Sequence, residues 1–446
     1  MSNEQEYINL FCKHKELIEK PCAAMLNEER VKAFERFKET GFPGIKEENW
    51  LHTNVAAQFA TDYGMNLGRI TTEAGTRDIF TCDVPNLGTH KAYIVNDSFQ
   101  AATNNSSNLP AGVLLGSLNT LATEHAAVLK PFYNKLAANG DSIAQFNTSF
   151  VQDGIVLYIP RNTEINETIQ VVSLLQSNVE MMSNRRLLIV LEEGAKASLL
   201  MCDHSSTAQK SLSTQVTEVF IGAGASLDIY EMEETSERNC RLAHLFVQQQ
   251  ADSHFNHCNI TLTNGFTRNY VNVQLVGKGA NTNITGLAIG DRKKHIDNRT
   301  LVEHKTSHCT SNELYKYILD EESVGVFAGK MLIQPDAQQT SSQQTNRNLC
   351  LTSCAHMYAQ PQLEIYADDV KCSHGSTVGQ LDENALFYMQ QRGIPKEEAR
   401  HLLMYAFAGE VIENINIEAL RDRLHLLVEK RFRGELNRCK GCSLCK

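Results

Sequence analysis

The sequence of 446 residues has no apolar run near the roughly 20 residues that a membrane-spanning helix requires. Its first six residues, MSNEQE, are polar and acidic and lack the charged and then apolar pattern of a secretory signal. Lys and Arg (42) are outnumbered by Asp and Glu (52) and cluster only in short groups such as Arg292–Lys294, which argues against a nucleic-acid binder. We therefore expect a soluble, cytoplasmic protein.

Two kinds of chemistry are also missing. No G-x-x-x-x-G-K-[ST] loop is present, so ATP hydrolysis is not expected of this chain. The thirteen cysteines are irregularly spaced and do not resemble a disulfide scaffold. In a reducing compartment, isolated cysteines are mostly small buried side chains, and we expect this of most of Cys12, Cys22, Cys82, Cys202, Cys240, Cys258 and Cys309.

The patterning divides the chain into four regions. Residues 1–60 are helical in pattern: a helix is expected from Asn27, with Val31, Phe34 and Phe37 at helical spacing, until Gly41 and Pro43 end it. Residues 61–150 show weak periodicity and form a mixed connecting region. Residues 151–380 alternate apolar and polar residues in short runs typical of strands. Residues 381–446 form a C-terminal helical domain with a cysteine-containing tail.

The strand-rich region repeats. GAKASL begins at Gly194, GAGASL begins at Gly222, and QADSHF begins at Gln250, so the three copies lie at equal intervals. A fourth copy, GKGANTNI from Gly277, is one residue out of phase. Each copy is an apolar strand, a tight turn that tolerates positive φ, and small polar residues. Short strands at a fixed period of about 28 residues favour a mainly β protein with a β-solenoid core.

Helical spacing returns after the solenoid. Asp382 can cap a helix that carries Ala385, Leu386 and Met389 and ends at Gly393. Pro395 suits the first turn of a second helix, whose apolar stripe contains Ala399, Leu402, Leu403, Ala406 and Phe407. A third helix is expected from Ile417 through Leu420, Leu424 and Leu427. These stripes could receive a partner helix.

Cys372 and His374 lie at the end of the last expected strand. Residues two apart in a strand face the same side, so a thiol and an imidazole would project together, as ligands suited to iron, zinc or copper(I). Two ligands do not complete a site, because a tetrahedral metal needs four, or three with an open position. The alternative is that both side chains fill the inner face of the solenoid.

The segment PQLEIYADDVKCSHGSTVGQLDENALFYMQQRGIPKEEARHLLMYAFAGEV resembles the SufD signature of the SufB/SufD family, which forms the scaffold of the SUF iron–sulfur cluster assembly system. SVGVFAGKMLIQPDAQQTSSQQTNRNL and GFPGIKEENWLHTN are similar to other parts of the family, and the likeness is weakest between residues 55 and 150. The SufB side of the family has an acidic, histidine-containing run in place of KCSHGST, so the resemblance favours SufD.

This resemblance implies a right-handed parallel β-helix flanked by helical N- and C-terminal domains. It also implies a subunit that is not an enzyme, that pairs with SufB edge to edge, and that binds the ATPase SufC through its C-terminal helices. The isolated chain could form a homodimer. The family's proposed site for iron or a transient iron–sulfur cluster falls on His374, with Cys372 nearby, and SufB would supply the other ligands. Movement of SufC would then expose these residues for loading.

Three other interpretations of the residues stay open. Cys439, Cys442 and Cys445 in the tail could bind a metal or cluster, or accept sulfur, or be incidental in a flexible terminus. Asp368 and Asp369 could serve a β-helix carbohydrate-active enzyme, although adjacent strand residues face opposite sides. A free-standing metal-binding module would instead use His254, His257 and Cys258, or His304, His308 and Cys309, which we expect to be solvated or packed side chains.

Overall fold

The computed structural model describes residues 3–69, 84, 87–101, 109–205 and 209–435. The α-helices of this part of the chain are α1 (Asn3–Glu19), α2 (Ala24–Thr40), α3 (Leu118–Glu124), α4 (Ala126–Leu129), α5 (Ser142–Phe150), α6 (Glu383–Gln391), α7 (Lys396–Ile412) and α8 (Glu418–Phe432). No helix within these ranges is both long and apolar enough to cross a membrane.

The strands lie almost entirely between the two helical regions. They are β1 (Gly64–Met65), β2 (Thr89–Val95), β3 (Ser98–Ala101), β4 (Leu114–Ser117), β5 (Gly154–Ile159), β6 (Thr168–Leu175), β7 (Met181–Leu191), β8 (Lys196–Ser205), β9 (Ser211–Ile221), β10 (Ser226–Glu234), β11 (Asn239–Gln249), β12 (His254–Thr263), β13 (Phe266–Leu275), β14 (Asn281–Gly290), β15 (His295–His304), β16 (Thr310–Leu319), β17 (Val324–Ile333), β18 (Thr340–Cys350), β19 (His356–Ile365) and β20 (Val370–Gly379).

These strands form a β-solenoid, which confirms the fold expected from the repeats. The odd-numbered strands from β5 to β19 make one sheet and the even-numbered strands from β6 to β20 make the other, so that each coil gives one strand to each sheet. Neighbouring coils pair in parallel. The short strands β3 and β4 pair antiparallel at the first coils.

The register agrees with most of the repeats read from the sequence. Ser226 pairs with His254, and His254 in turn pairs with Asn281, which is the spacing from Gly222 through Gln250 to Gly277. The first copy is different, because Ser226 pairs with Lys196 and not with Ser198. The alignment of GAKASL with GAGASL was therefore wrong by two residues. Its cause is that the chain from the start of β8 to the start of β9 is two residues longer than the chain from β10 to β11.

A column of left-handed residues turns the chain into the even-numbered sheet. Each member lies two residues before a paired position and has φ between 54° and 76°: Asn162, Gly194, Gly224, Asp252, Gly279, His308 and Gln339. Gly and Asn tolerate this conformation best, since a Cβ clashes with the following carbonyl. The expected tight turns are confirmed, and the repeated glycines are turn residues.

The inside of the coil is half apolar and half polar. Inward side chains such as Leu187, Ile229 and Val273 form one continuous apolar cluster. At the other end of the strands, the inward Arg241 donates to Asp203 at 2.6 Å and to Glu231 at 3.2 Å, with all three groups buried. Alternation along the strands predicts that these positions face inward. It does not predict that charged residues occupy them.

The two outer faces of the coil are covered by different helices. Aromatic side chains of α1, α2 and α5, including Phe11, Phe37 and Phe146, pack against the odd-numbered sheet. The helix α2 begins three residues earlier than expected and its Val31 is exposed, whereas Phe34 and Phe37 are buried as its spacing predicted. Helices α7 and α8 cover the even-numbered sheet.

The only tryptophan of the sequence fastens the N-terminal region to the coil. Trp50 is buried with the Arg268 guanidinium 3.6 Å from its ring centroid. Asp297 accepts from Arg268 at 2.7 Å, from Arg299 at 3.1 Å and from the Thr53 hydroxyl at 2.6 Å. Burial opposes ionisation, but the two guanidinium groups hold the pKa of Asp297 below its ordinary value. One carboxylate thus bridges two buried guanidinium groups and offsets part of their charge.

Asp297→Ala should lower the free energy of unfolding by about 3–5 kcal/mol, because it leaves Arg268 and Arg299 buried without their counter-charge. Glu193→Ala is the control, since it breaks the exposed pair with Arg161 and should cost less than about 1 kcal/mol. Urea unfolding of both variants measures the difference. Equal losses of unfolding free energy in the two variants would contradict a stabilising role for the ion pairs of Asp297.

Gly224→Val should lower the free energy of unfolding by about 1–2 kcal/mol, because Gly224 has φ +64°, a conformation that is strained for valine. No atom lies within 4 Å of a Cβ built at this position, so a steric clash does not add to the loss. Gly224→Asn should cost distinctly less, because Asn tolerates this conformation. Thermal unfolding compares the two. A valine variant as stable as the asparagine variant would show that the turn column is not strained.

Candidate functional site

The coil ends without a cover at β19 and β20, which we call the open end. The strand β19 pairs only with β17, and β20 pairs only with β18, in the part of the chain described. Nearly every residue of β20 is exposed. Tyr366, between the two strands, is 61% exposed and Val378 is 54% exposed. Unpaired edges with apolar neighbours are typical of a surface that pairs with another chain.

Cys372 and His374 lie on the inward-facing side of β20. Cys372 pairs in register with Ser342 of β18, and His374 pairs with Gln344. Ser342 and Gln344 are buried in the coil, which identifies this side as the inner one. The last coil has no successor within the described residues, so His374 is exposed and Cys372 is only half-buried.

The Cys372 thiol is held in its protonated form. Burial raises its pKa above the ordinary value, and a hydrogen bond with the backbone of Ser342 opposes the shift. Its apolar neighbours are Ile333, Ala337 and Ala367. A thiol of this kind is a weak nucleophile and becomes a ligand when a metal ion displaces its proton.

The described residues supply only part of a metal site. Nowhere in the described ranges do three or more His, Cys, Asp or Glu side chains converge closely enough to hold a metal ion. Cys372 and His374 are two side chains of ligating type, fewer than the three or four ligands that a tetrahedral metal requires. Cys439, Cys442 and Cys445 lie outside the described residues.

The first alternative histidine cluster does not converge. His257 is buried inside the coil with its Nε2 atom 3.7 Å from Glu231 Oε1, whereas the neighbouring Cys258 is buried in the outer cluster with α7 and α8. His254 is exposed at the start of β12. Adjacent strand residues face opposite sides, and this separates the imidazole from the thiol.

The remaining candidates are also separate. His304 is buried and its Nε2 lies 2.9 Å from the Ser311 hydroxyl, while His308 is in the turn that precedes β16. Asp368 and Asp369 are exposed in the bend before β20. Of the isolated cysteines, Cys202, Cys240, Cys258 and Cys309 are buried as expected, Cys22 is half-buried, Cys12 is exposed, and Cys82 lies outside the described residues.

An apolar surface adjoins the open end on the C-terminal helices. Asp382 caps α6 as expected, accepting from the backbone of Asn384 at 2.8 Å. Three apolar side chains then remain uncovered, Phe387 (62% exposed), Tyr388 (59%) and Leu402 (41%), which we call the α6–α7 surface. Leu402 belongs to the stripe expected on α7.

The part of α7 that packs on the coil uses other residues. Met404, Ala408 and Val411 face the even-numbered sheet, together with the expected Leu420 and Leu424 of α8. The stripe read from the sequence therefore lies mainly at the surface of α7, and only Ala399 of it is fully buried.

Ion pairs connect α7 to the last coils. Glu410 of α7 pairs with Lys316 of β16 and, at 3.0 Å, with Arg347 of β18. The Lys316 ammonium also donates to the carbonyl of Phe407 at 3.0 Å. The strand β18 also carries Ser342 and Gln344, which pair with Cys372 and His374 of β20. The same strand therefore contacts both α7 and the open end. These residues were not singled out from the sequence, because isolated charges give no periodic signal.

Comparison with protein families identifies both halves of the chain. Residues 174–407 match the SUF system FeS cluster assembly, SufBD core domain, and residues 1–171 match the SufBD protein N-terminal region. The core match begins at the end of β6, contains the strands from β7 to β20 and ends within α7.

Individual relatives agree with these matches. The iron–sulfur cluster assembly SufBD family protein slr0076 of Synechocystis is 28% identical over 398 residues, covering 87% of each chain. The iron–sulfur cluster assembly protein SufD of Escherichia coli is 32% identical over 246 residues, covering 55% of this chain and 58% of that protein. The protein of the same name from Bacillus subtilis is 25% identical over 443 residues, covering 97% of this chain and 99% of the relative. The chain described here belongs to the SufBD family of iron–sulfur cluster assembly proteins.

Proposed function

We propose that this chain is a non-catalytic subunit of the SUF scaffold that pairs with the paralogue SufB through the open end. The observation that supports the proposal is a last coil, uncovered within the described residues, whose inner face presents the thiol of Cys372 and the imidazole of His374. A second coil of the same kind, placed against this edge, would continue the pairing and bring its own side chains to the same point. Iron or a nascent cluster is then cargo held between two chains.

The same edge could also pair with a second copy of the chain when no paralogue is present. An uncovered strand pairs with whatever strand is available, and a second copy presents the same edge in a two-fold arrangement. Such a dimer would bring two copies of Cys372 and His374 together. We expect the paralogue to displace the second copy, because it would supply the remaining ligands.

The ATPase SufC is the partner proposed for the α6–α7 surface. Phe387 and Tyr388 are large, exposed and adjacent, and aromatic side chains of this kind dominate the energy of protein interfaces. Movement of α7 would reach the open end through Glu410, which pairs with Lys316 and Arg347 on the last strands of the even-numbered sheet. In this scheme nucleotide hydrolysis by the partner would change the contact at the open end, and this chain would perform no reaction of its own.

His374→Ala should leave the complex with SufB and SufC assembled while its iron content falls roughly tenfold, because one of the few ligands at the contact is lost. Ser373→Ala is the matched control, since Ser373 is exposed on the other side of β20. Co-purification, iron analysis and absorption spectra after reconstitution measure both properties. Normal iron loading of the His374→Ala complex would contradict the proposed ligand.

Phe387→Arg should weaken capture of SufC by about 2 kcal/mol, roughly 30-fold, because it places a charge within the proposed contact. Val179→Arg, which also replaces a strongly exposed apolar residue but far from α6, should leave capture unchanged. Titration calorimetry with purified SufC compares the two variants. Unaltered affinity in Phe387→Arg would place the ATPase elsewhere on the chain.

A further inference from the structure

A buried polar column lies directly behind the open end. Counting inward from β20, the position of His374 is occupied by Gln344 in β18 and by Glu313 in β16. One coil further in, the same position is Ile284. The next position inward is His257, so polar residues are not confined to this end, but Glu313 and Gln344 are the two that follow one another directly behind His374.

Glu313 is a buried carboxyl group without a cation beside it. It is 1% exposed, the Gln344 amide donates to its Oε2 at 2.8 Å, and the Thr300 hydroxyl lies beside it. Neither neighbour carries a charge, and within the described ranges no Lys, Arg or His side chain forms an ion pair with Glu313. Burial raises the pKa of Glu313 to about 7. Such a group is costly in an isolated chain unless a positive charge arrives nearby.

Gln344 is positioned to connect this carboxyl group with the open end. Its side chain is buried, its Nε2 is used by Glu313, and its Oε1 has no hydrogen-bond partner among the residues that the structure describes. On the facing wall a Cβ at Gly329 would lie 2.2 Å from the Gln344 Nε2 atom, so the glycine leaves the space that the amide fills. A glycine inside a strand often marks such a close approach.

We propose that Glu313 is the buried counter-charge for a divalent cation taken up at the open end by His374 and Cys372. The inference rests on the proposed function and extends its site two coils into the interior, with Gln344 between the carboxyl group and the ligands. Strand spacing places Glu313 about 10 Å from the cation. At that distance, with solvent at the open end partly screening the charges, one negative charge changes the affinity for a divalent cation by on the order of tenfold.

Glu313 is a positioning residue in this account, because it touches neither the cation nor its ligands. The titratable groups that face it inside the coil are Tyr315 on its own strand, His304 on the odd-numbered sheet, and His257 two coils further in. Burial raises the pKa of Tyr315 and lowers the pKa of His304 to about 4, so that both are neutral at pH 7. Neither Tyr315 nor His304 therefore changes its charge between pH 6 and pH 8.

The pH dependence has opposite signs for folding and for cation uptake. Because the folded pKa of Glu313 lies above its unfolded value, its contribution to stability is complete below about pH 4.5 and is lost as the pH rises to about 7. Above pH 7 the ionised carboxylate of Glu313 destabilises the folded chain, and the same ionised form attracts a cation. Removing the charge should thus stabilise the chain and weaken cation binding, whereas a purely structural residue would not produce this combination.

The test uses the complex co-expressed with SufB and SufC, with Co²⁺ as the probe in titration calorimetry at pH 6 and pH 8. Glu313→Gln should weaken Co²⁺ binding about tenfold at pH 8 and much less at pH 6, with an unfolding midpoint at pH 8 that is no lower than that of the unchanged complex. Glu313→Asp, which keeps the charge, should retain the pH-dependent gain in affinity.

Glu233→Gln is the matched control. Glu233 is also buried, its pKa is also raised to about 7 by burial, and it accepts from Thr267 at 2.8 Å, but it lies on β10, five coils from β20. This variant should not change Co²⁺ affinity. Equal affinity of Glu313→Gln and the unchanged complex at pH 8, or equal losses in the two Gln variants, would overturn the inference.

His374→Ala separates this inference from the proposed function. If His374→Ala abolishes Co²⁺ binding and Glu313→Gln leaves it unchanged, the counter-charge is wrong and the interface site stands. If His374→Ala binds Co²⁺ as the unchanged complex does, the proposed ligand itself is wrong, and the counter-charge fails with it.

Discussion

Parallel stacking is the constraint on which the rest of this structure depends. Each coil of a solenoid satisfies its backbone donors and acceptors, and covers its inward side chains, only through the coils on either side. Among the residues that the structure describes, the last coil has one neighbour, so β19 and β20 leave a row of peptide groups and a set of inward-facing side chains without a cover. A chain of this kind must cap its end or share it. Here the residues exposed by that end include a thiol and an imidazole, so the edge without a partner in the described part of the chain also carries the two side chains proposed as metal ligands.

The interior polar residues have a second consequence for the coil. Arg241 interacts with both Asp203 and Glu231, and Arg185 pairs with Asp203 on its other side, so four buried charges compensate one another across neighbouring coils. Burial opposes the ionisation of Asp203, yet the charges of Arg241 and Arg185 hold its pKa below the ordinary value. A slip of one coil by a single residue would turn these side chains to the outer face and leave charges unpaired. The apolar positions alone would be compatible with several registers between neighbouring coils. The buried charge network selects one of them.

The sequence allowed the solenoid, the turns and the C-terminal helices to be predicted, because each leaves a periodic or capping signal. The frames from Gly222 to Gly277 were correct because the coils between them keep nearly constant length. The repeat that begins at Gly194 was aligned two residues out of register, because the segment from β8 to β9 is two residues longer than the segment from β10 to β11. No local pattern in the sequence reveals this difference. Val31 illustrates another limit, because helical spacing identifies which side of a helix is apolar but not how much of that side is buried. The helix α2 buries Phe34 and Phe37 and leaves Val31 in solvent.

The site was less accessible to sequence reasoning than the fold. Alternation along a strand places Cys372 and His374 on one side, but it does not show that the coil stops there or that Glu313 lies two coils behind them. If the open end is the contact with SufB, the free edges of β19 and β20 should be unprotected in the chain alone and paired in the scaffold. Hydrogen–deuterium exchange of this segment, with and without SufB, tests the claim: we predict strong added protection confined to residues 356–379 and their neighbours in β17 and β18. Unchanged exchange there, with protection appearing elsewhere on the coil, would contradict it.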